Sequence, residues 1–381
     1  MNKTRIAVIF GGQSSEHDIS CISAANVADL MDSEKYEIFL FGITKDGHWL
    51  TADSTEDIRS GAWEQKGRPA LLSPDAGTHG FMVLADGSEV SGGQTVRPEG
   101  SAAPVSLWET VPVDVVFPVL HGIWGEDGTV QGLLELACIP YVSCGVLSSA
   151  VTMDKAYTKI IADAAGVRQA DYVIVTKSEL KDIDQALDRC EAGLAYPVFV
   201  KPSRAGSSKG VSQAHDRAEL EAALREAVRH DTRVLVEETI VGHEVECAVL
   251  TVPGGTIASG VGEILSAGSF YDFDSKYQNS ESRTVTDPKL PEGAAERVRS
   301  AALTVFEAVD GFSLSRVDFF VTEAGEVIFN EINTIPGFTS ISMYPQLWEA
   351  AGISQKELVE KLIQTAFMRE DSYTVYRESR A

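Results

Sequence analysis

The sequence predicts two kinds of fold in one chain: an N-terminal α/β domain built on a parallel sheet, then an α+β region. Three observations carry that expectation. Apolar runs at residues 6–10 and 113–120 end in Gly11-Gly12 and His121-Gly122, as strands buried on both faces do when helices cover a parallel sheet. Strand and helix patterns alternate through residue 236. From residue 237 strands follow one another closely, as in an antiparallel sheet. At about 100–200 residues per domain, the 381 residues hold two or three domains. The expected boundaries are 1–146, with an insertion at about 50–110, then 147–236 and 237–381.

Each element has a local reason. After the first strand, Ser15 with Asp18 three residues on resembles a capping box for a helix reaching about Leu30. A second strand follows at 37–43. Residues 51–110 are rich in Gly, Ser, Asp and Pro with weak periodicity, which reads as a surface insertion with one hairpin. A capped helix is expected over 148–165, with strands near 171–176, 196–201, 211–215 and 233–240. Beyond them come a long loop at 266–289, a helix at 293–309, a hairpin and a final helix.

Composition excludes several classes. There are 32 Lys and Arg against 56 Asp and Glu, a net charge of −24, so nucleic acid is not expected as a partner. No apolar stretch is long enough for a membrane span, and MNKTRIAVIFGG is no secretory signal. Cys21, Cys138, Cys144, Cys190 and Cys247 are scattered without a CxxC, the pattern of reduced thiols, which makes a cytoplasmic location the expectation.

Four segments can carry chemistry. In the hairpin SRVDFFVTEAGEVIFNEINT, a two-residue turn at Ala324-Gly325 would set Asp318 opposite Glu331 and Arg316 opposite Asn333, all on one face. Opposed carboxylates repel, so either a cation such as Mg²⁺ lies between them or the face is solvated. A three-residue turn would change which residues share that face. The loop in VFVKPSRAGSSKG follows a buried strand ending at Lys201; its backbone N–H groups can cradle phosphate or simply connect strands. SFYDFDSKY, residues 269–277, reads either as a lid over a charged ligand or as a loop pinned by its aromatics. HGIWGEDGTVQG lies at the C-terminal end of a strand, where open α/β sheets bind ligands. There His121 either meets a carboxylate or caps the loop, and Glu126 and Asp127 cap the next helix. Glu16, at the start of the first helix, reads locally as an acid that compensates the helix dipole.

Taken together, FGGQSSEHDIS, LHGIWGEDGTVQGLLE, SAVTMDK, VFVKPSRAGSSKGV, VLVEETIVGHEVE, FYDFDSKY, SRVDFF and FNEINTIPGFTSISMYP resemble, in order, the D-alanine–D-alanine ligases of the ATP-grasp superfamily. The resemblance covers most of the chain except about 50–110, and Phe273 stands where tyrosine is commoner. It implies an ATP-grasp fold behind an N-terminal parallel-sheet (preATP-grasp) domain. It also implies an ATP-dependent ligase that forms D-alanyl-D-alanine for peptidoglycan through an acyl phosphate, with two Mg²⁺ or Mn²⁺ ions, as a cytoplasmic homodimer.

Residue by residue, the resemblance assigns Glu16 to the ammonium of the first D-alanine, joined by Ser207 and Tyr277 in a triad that orders the lid. Lys155, Lys201, Ser208 and Lys276 would serve the ATP phosphates; Glu237, Glu238 and Ile240 would line the adenine pocket, and Glu244 would bind ribose. Asp318, Glu331 and Asn333 would hold the metals, with Arg316 and the backbone N–H of Gly337 as the oxyanion hole. His121 would lie near the first substrate, with Ser342 and Met343 at the second. The resemblance implies that Tyr277 favours dipeptide synthesis over the D-lactate relatives, with D-alanine–D-lactate and D-alanine–D-serine ligases of the same family as the alternatives. A nucleotide sensor without catalysis would have lost a metal ligand or an ATP lysine, and none of those positions is empty here.

Overall fold

The computed structural model describes residues 3–86, 89–91, 94–96, 107–204, 206, 209–265 and 283–369, with backbone alone for 89–91 and 94–96. They fall into two compact units: one of residues up to 143 with 337–341 and the segment from 355, the other of 144–336 with 342–354. Among the described residues no helix is long and apolar enough to cross a membrane. All five cysteines are free.

The first unit opens with β1 (Thr4–Gly11), α1 (His17–Leu30), β2 (Tyr36–Ile43) and β3 (Trp49–Ala52). Next come α2 (Thr55–Ser60), α3 (Trp63–Lys66), β4 (Ala70–Leu72), β5 (Gly80–Leu84), β6 (Glu89–Ser91), β7 (Gln94–Val96) and β8 (Trp108–Pro112). It continues with β9 (Val115–Pro118) and α4 (Thr129–Ala137). The main sheet runs β3-β2-β1-β9, with β1 parallel to both β2 and β9. Ile6 to Phe10 are fully buried, which is why that strand reads as an unbroken apolar run. The chain leaves β1 toward β2 on one side and returns at β9 on the other, so a switch point lies beyond the C-terminal ends of β1 and β9.

Two expectations fail in this unit. The first helix begins at His17 with no side-chain cap; Ser14 takes the Glu16 N–H at 3.2 Å, and Asp18 turns outward to Lys45 at 2.9 Å, so there is no capping box. The 50–110 segment is not merely a surface insertion. β4, β5 and β8 form a three-stranded sheet whose Leu72, Phe81 and Val83 join the core of β1, β2 and β9. Trp63 on α3 is 1% exposed and meets Phe10 edge-on at 5.0 Å. Truncating a buried aromatic of this size typically costs about 3–5 kcal/mol. We expect Trp63→Ala to lower the denaturation midpoint accordingly in urea titrations, where an unchanged midpoint would return the segment to the surface.

The second unit carries α5 (Val146–Met153), α6 (Lys155–Ala164), β10 (Tyr172–Thr176), α7 (Ile183–Gly193), β11 (Val198–Pro202), β12 (Ser212–Ala214), α8 (Arg217–Ala227) and β13 (Arg233–Glu238). Its first sheet runs β10-β13-β11-β12, antiparallel throughout, over a core of Val175, Leu187, Val198, Val200, Leu224 and Val234. The single helix expected over 148–165 is broken at Asp154, whose carboxylate accepts the Ala156 N–H at 3.2 Å and the Ser203 hydroxyl. That break makes Lys155 the first residue of α6.

Then come β14 (His243–Val252), β15 (Gly255–Leu265), β16 (Arg283–Val285), α9 (Ala294–Ala308), β17 (Leu314–Val321), β18 (Val327–Asn333) and α10 (Met343–Ala350). Helix α11 (Gln355–Ala366) belongs to the first unit, so the expected final helix is two. The second sheet runs β16-β15-β14-β17-β18, and α9 packs Val298, Ala302, Val305 and Phe306 against Val245, Cys247, Val317 and Phe319. Arg283–Val285, expected inside a loop, pairs with β15.

Candidate active site

The β17–β18 hairpin places its polar face by a route the sequence did not suggest. The turn has three residues, Glu323 to Gly325: Gly325, in the left-handed region at φ 81°, donates to the Thr322 carbonyl at 2.8 Å, and Thr322 donates to Glu326 at 3.0 Å. The two-residue turn expected at Ala324-Gly325 is therefore wrong. Alone, the longer turn would slip the register by one, yet Asp318 does oppose Glu331 and Arg316 does oppose Asn333. A β-bulge between these pairs and the Phe319–Phe329 pair absorbs the extra residue, Asn330. The bulge changes facing as well: Phe329 enters the core edge-on to Phe319 at 5.8 Å, while Glu331, two residues on, joins the opposite face.

The adjacent strand adds a residue that sequence reasoning missed. Glu246 on β14 pairs with Asp318, so three carboxylates, Glu246, Asp318 and Glu331, stand in one row across three strands. Such a row is tolerable only with cations among it. Arg316 supplies one, donating from Nε to Asp318 Oδ1 at 2.8 Å and from Nη2 to Oδ2 at 2.7 Å, with Glu246 Oε2 at 3.1 Å from Nε. Lys155 supplies another, its Nζ 3.1 Å from Glu331 Oε2. Asn333 donates to Asp318 Oδ2 at 3.2 Å. Burial works against the Arg316 charge, but Asp318 and Glu246 outweigh it and hold the guanidinium well above its ordinary pKa. The alternation of Glu244 and Glu246 was visible in HEVE; their partner strand, some 70 residues on, was not.

Two lysines approach this row, Lys155 from the start of α6 and Lys201 from β11 of the first sheet. The Lys155 N–H donates to the Ser203 carbonyl at 2.9 Å, and Asp154 also pairs with Arg233, so the start of α6 is fastened to the end of β11. Lys201 on β11 pairs with Glu237 and lies 3.4 Å from Asn330 Oδ1, the bulged residue. Glu237 is also bound by Lys159 at 2.8 Å. Burial disfavours the Glu237 charge, but the two lysines outweigh it and hold its pKa below the usual carboxylate range. Its carboxylate is thus committed to lysines, and that of Glu238 to the Asp171 N–H at 2.9 Å and Arg168 at 3.2 Å. Ile240 lies between β13 and β14, and Glu244 on β14 pairs with Phe320. Ser342 and Met343 begin α10, which Tyr344 anchors through a 3.1 Å bond to the Val249 carbonyl.

In the first unit, Glu16 and His121 sit at the switch point. Ser14 donates to the His121 carbonyl at 2.7 Å, and His17 Nδ1 donates to the Gly12 carbonyl at 2.7 Å. A Cβ on Gly122 would lie 2.9 Å from Glu16 Oε2, so the Glu16 carboxylate rests on the bare backbone that follows His121. Ser23 of α1 accepts the Phe338 N–H at 3.2 Å and meets His121 Nε2 at 3.3 Å, which ties the residue after Gly337 to the histidine. Glu126 accepts the Gly122 N–H at 2.7 Å within this loop, while Asp127 accepts the Trp124 N–H at 2.8 Å and, as expected of a cap, the N–H of Thr129 at the start of α4 at 3.0 Å. Ser207, Ser208, Lys276 and Tyr277 lie outside the described residues.

The second unit's two antiparallel sheets, with Lys201 on one, Lys155 at the start of α6 and a carboxylate row on the other, define an ATP-grasp enzyme. Residues 5–144 match the family model for the D-ala D-ala ligase N-terminus, and residues 161–364 that for the D-ala D-ala ligase C-terminus. The D-alanine--D-alanine ligase of Acetivibrio thermocellus is 48% identical, covering 97% of each chain. That of Ruminiclostridium cellulolyticum is also 48% identical, covering 99% of each. Among solved structures, the VanG D-Ala:D-Ser ligase of Enterococcus faecalis superimposes with a TM-score of 0.83 at 37% identity, over 96% of this chain and all of that one. The D-alanine-D-alanine ligase of Coxiella burnetii gives 0.78 at 33% identity, over 100% of this chain and 97% of that one. The chain belongs to the D-alanine–D-alanine ligase family.

Proposed function

We infer that this chain is an ATP-dependent, ADP-forming ligase that joins two D-alanines into D-alanyl-D-alanine for peptidoglycan precursors. The observation that carries the reading is the row of Arg316, Asp318, Glu331 and Asn333, in a chain whose two halves both match the family. A carboxylate does not react with an amine in water until it is activated. Phosphoryl transfer from ATP to the first D-alanine gives an acyl phosphate, which the amine of the second attacks. Lys155 and Lys201, with Lys276 and Ser208, bind the phosphates; the strand with Glu237 and Glu238, and Ile240 and Glu244 after it, take the adenosine. Glu16 holds the first ammonium beside His121, in a triad with Ser207 and Tyr277. Arg316 and the Gly337 N–H receive the tetrahedral oxyanion, and Ser342 and Met343 receive the second D-alanine. Tyr277 and Lys276 belong to a lid, in the stretch that precedes β16, that excludes water from the acyl phosphate.

The donor set of Asp318, Glu331 and Asn333 is all oxygen and suits Mg²⁺ or Mn²⁺. Their side chains share one face, and Arg316 and Lys155 already lie where positive charge is needed. Two such ions, when bound, supply charge neutralisation on the transferred phosphoryl group. We further propose a cytoplasmic homodimer, with residues 1–146 as the substrate domain and 147–236 and 237–381 as the two ATP-grasp subdomains, the last of which lends 337–341 and the segment from 355 to the first compact unit.

The VanG likeness favours D-serine as a second reading for the second substrate, and D-lactate is the third. Phosphate release from Mg-ATP, with D-alanine, D-serine and D-lactate offered in turn and products identified by mass, decides among them. Turnover that requires D-alanine and yields its dipeptide is the expected result; a mixed product would move the reading to the resistance-type ligases. No turnover while ATP still binds would end the ligase reading.

A further inference from the structure

We propose that Lys159 is a positioning residue for nucleotide binding, acting through Glu237 on Lys201. Lys159 lies on α6 one turn after Lys155, with its side chain 2% exposed. Its Nζ is 2.8 Å from Glu237 Oε1, 3.4 Å from the Ala170 carbonyl and 5.0 Å from the centre of the Tyr172 ring. The other oxygen of Glu237 pairs with Lys201, so one buried carboxylate is shared between two ammonium groups.

The charge count explains why the second lysine matters. A Glu237–Lys201 pair alone is neutral, and it would hold the Lys201 ammonium against its own carboxylate rather than against a phosphate. With Lys159 on the far oxygen, the three side chains carry one net positive charge, and it sits at Lys201, the more exposed of the two lysines. Asp163, a further acid that acts on Lys159, is itself engaged by Gln169 and by the Tyr172 hydroxyl. Stability is a poor reason for such a set, since apolar residues of similar volume often replace buried ion pairs without loss. Burial lowers the Lys159 pKa, so the arrangement costs the fold something. A structural lysine here would need only a counter-charge; this one leaves its counter-charge half committed elsewhere.

The inference rests on the reading that Lys201 meets ATP phosphates, and the experiment separates the two. ADP affinity is measured by calorimetry with and without Mg²⁺ for Lys201→Met, Lys159→Met, Lys159→Arg, Glu237→Gln and the Lys159→Met/Glu237→Gln pair, alongside melting temperature and KM for ATP and D-alanine. We expect Lys159→Met to weaken ADP binding and raise KM for ATP about tenfold, the scale of one hydrogen bond to a charged group. KM for D-alanine should hold, and Lys159→Arg should recover most of the affinity. In the Glu237→Gln background Lys159→Met should cost ADP affinity little more, because the path through Glu237 is already cut. Equal losses in both backgrounds, or an unweakened Lys159→Met, would overturn the proposal. If Lys159→Met does not fold, the Arg variant and the double variant carry the same comparison: Arg losing ADP affinity as Glu237→Gln does would overturn it. Unchanged ADP binding by Lys201→Met would instead remove the phosphate role of Lys201, and the proposal with it.

Discussion

Replacing Arg316 by alanine is expected to lower turnover about 10²–10³-fold, the usual cost of losing one oxyanion donor, the role we propose for it, while ATP binding, which we assign to Lys155 and Lys201, survives. The same substitution has a second consequence that sets its size. Arg316 is the cation between Asp318 and Glu246, so its loss leaves two buried carboxylates facing each other on neighbouring strands. Breaking a buried pair in this way costs about 3–5 kcal/mol, a large part of a typical domain's stability. Turnover must therefore be referred to the folded fraction, measured by circular dichroism at the assay temperature. Arg316→Lys keeps the charge but not the two-pronged bond to Asp318, and should fall between wild type and alanine in stability. Near-wild-type turnover per folded Arg316→Ala molecule would remove Arg316 from the chemistry and leave it a counter-ion.

The hairpin that holds Arg316 shows what the sequence could and could not convey. Period-2 alternation and a turn near Gly325 were enough to bring Asp318 opposite Glu331. That pairing was reached with a turn one residue too short, and the Asn330 bulge restored it. Nothing local in FNEIN marks the bulge; it follows from the need to bury Phe329 against Phe319 while Glu331 faces the other way. Buried parallel strands such as β1 were legible because both faces are covered. Glu246 and Lys159 were not, because their meaning lies in strands and helices far along the chain that pairing brings together. Trp63 was hidden for the opposite reason: its neighbours are polar and Gly-rich, and a single large side chain carries the packing.

Asp318→Asn provides the complementary result, and the two variants should respond to magnesium in opposite senses. Asp318 is the residue that both Arg316 and Asn333 touch, and it is the acid we assign to the metals. Its neutralisation should reduce turnover at saturating ATP by at least about 10²-fold, since metal charge in phosphoryl transfer supplies several kcal/mol at about 1.4 kcal/mol per decade. Stability should suffer less than in Arg316→Ala, because Glu246 still pairs with the guanidinium and one of three opposed acids has been neutralised. A ligand that binds only the folded state raises the melting temperature in proportion to the logarithm of its occupancy ratio. Magnesium should therefore stabilise Arg316→Ala more than wild type, where Arg316 competes for the same carboxylate, and Asp318→Asn less. Melting curves across a Mg²⁺ titration measure this directly. If Asp318→Asn gains as much from Mg²⁺ as wild type does, the metals are held elsewhere, and the carboxylate row serves the fold through Arg316 alone.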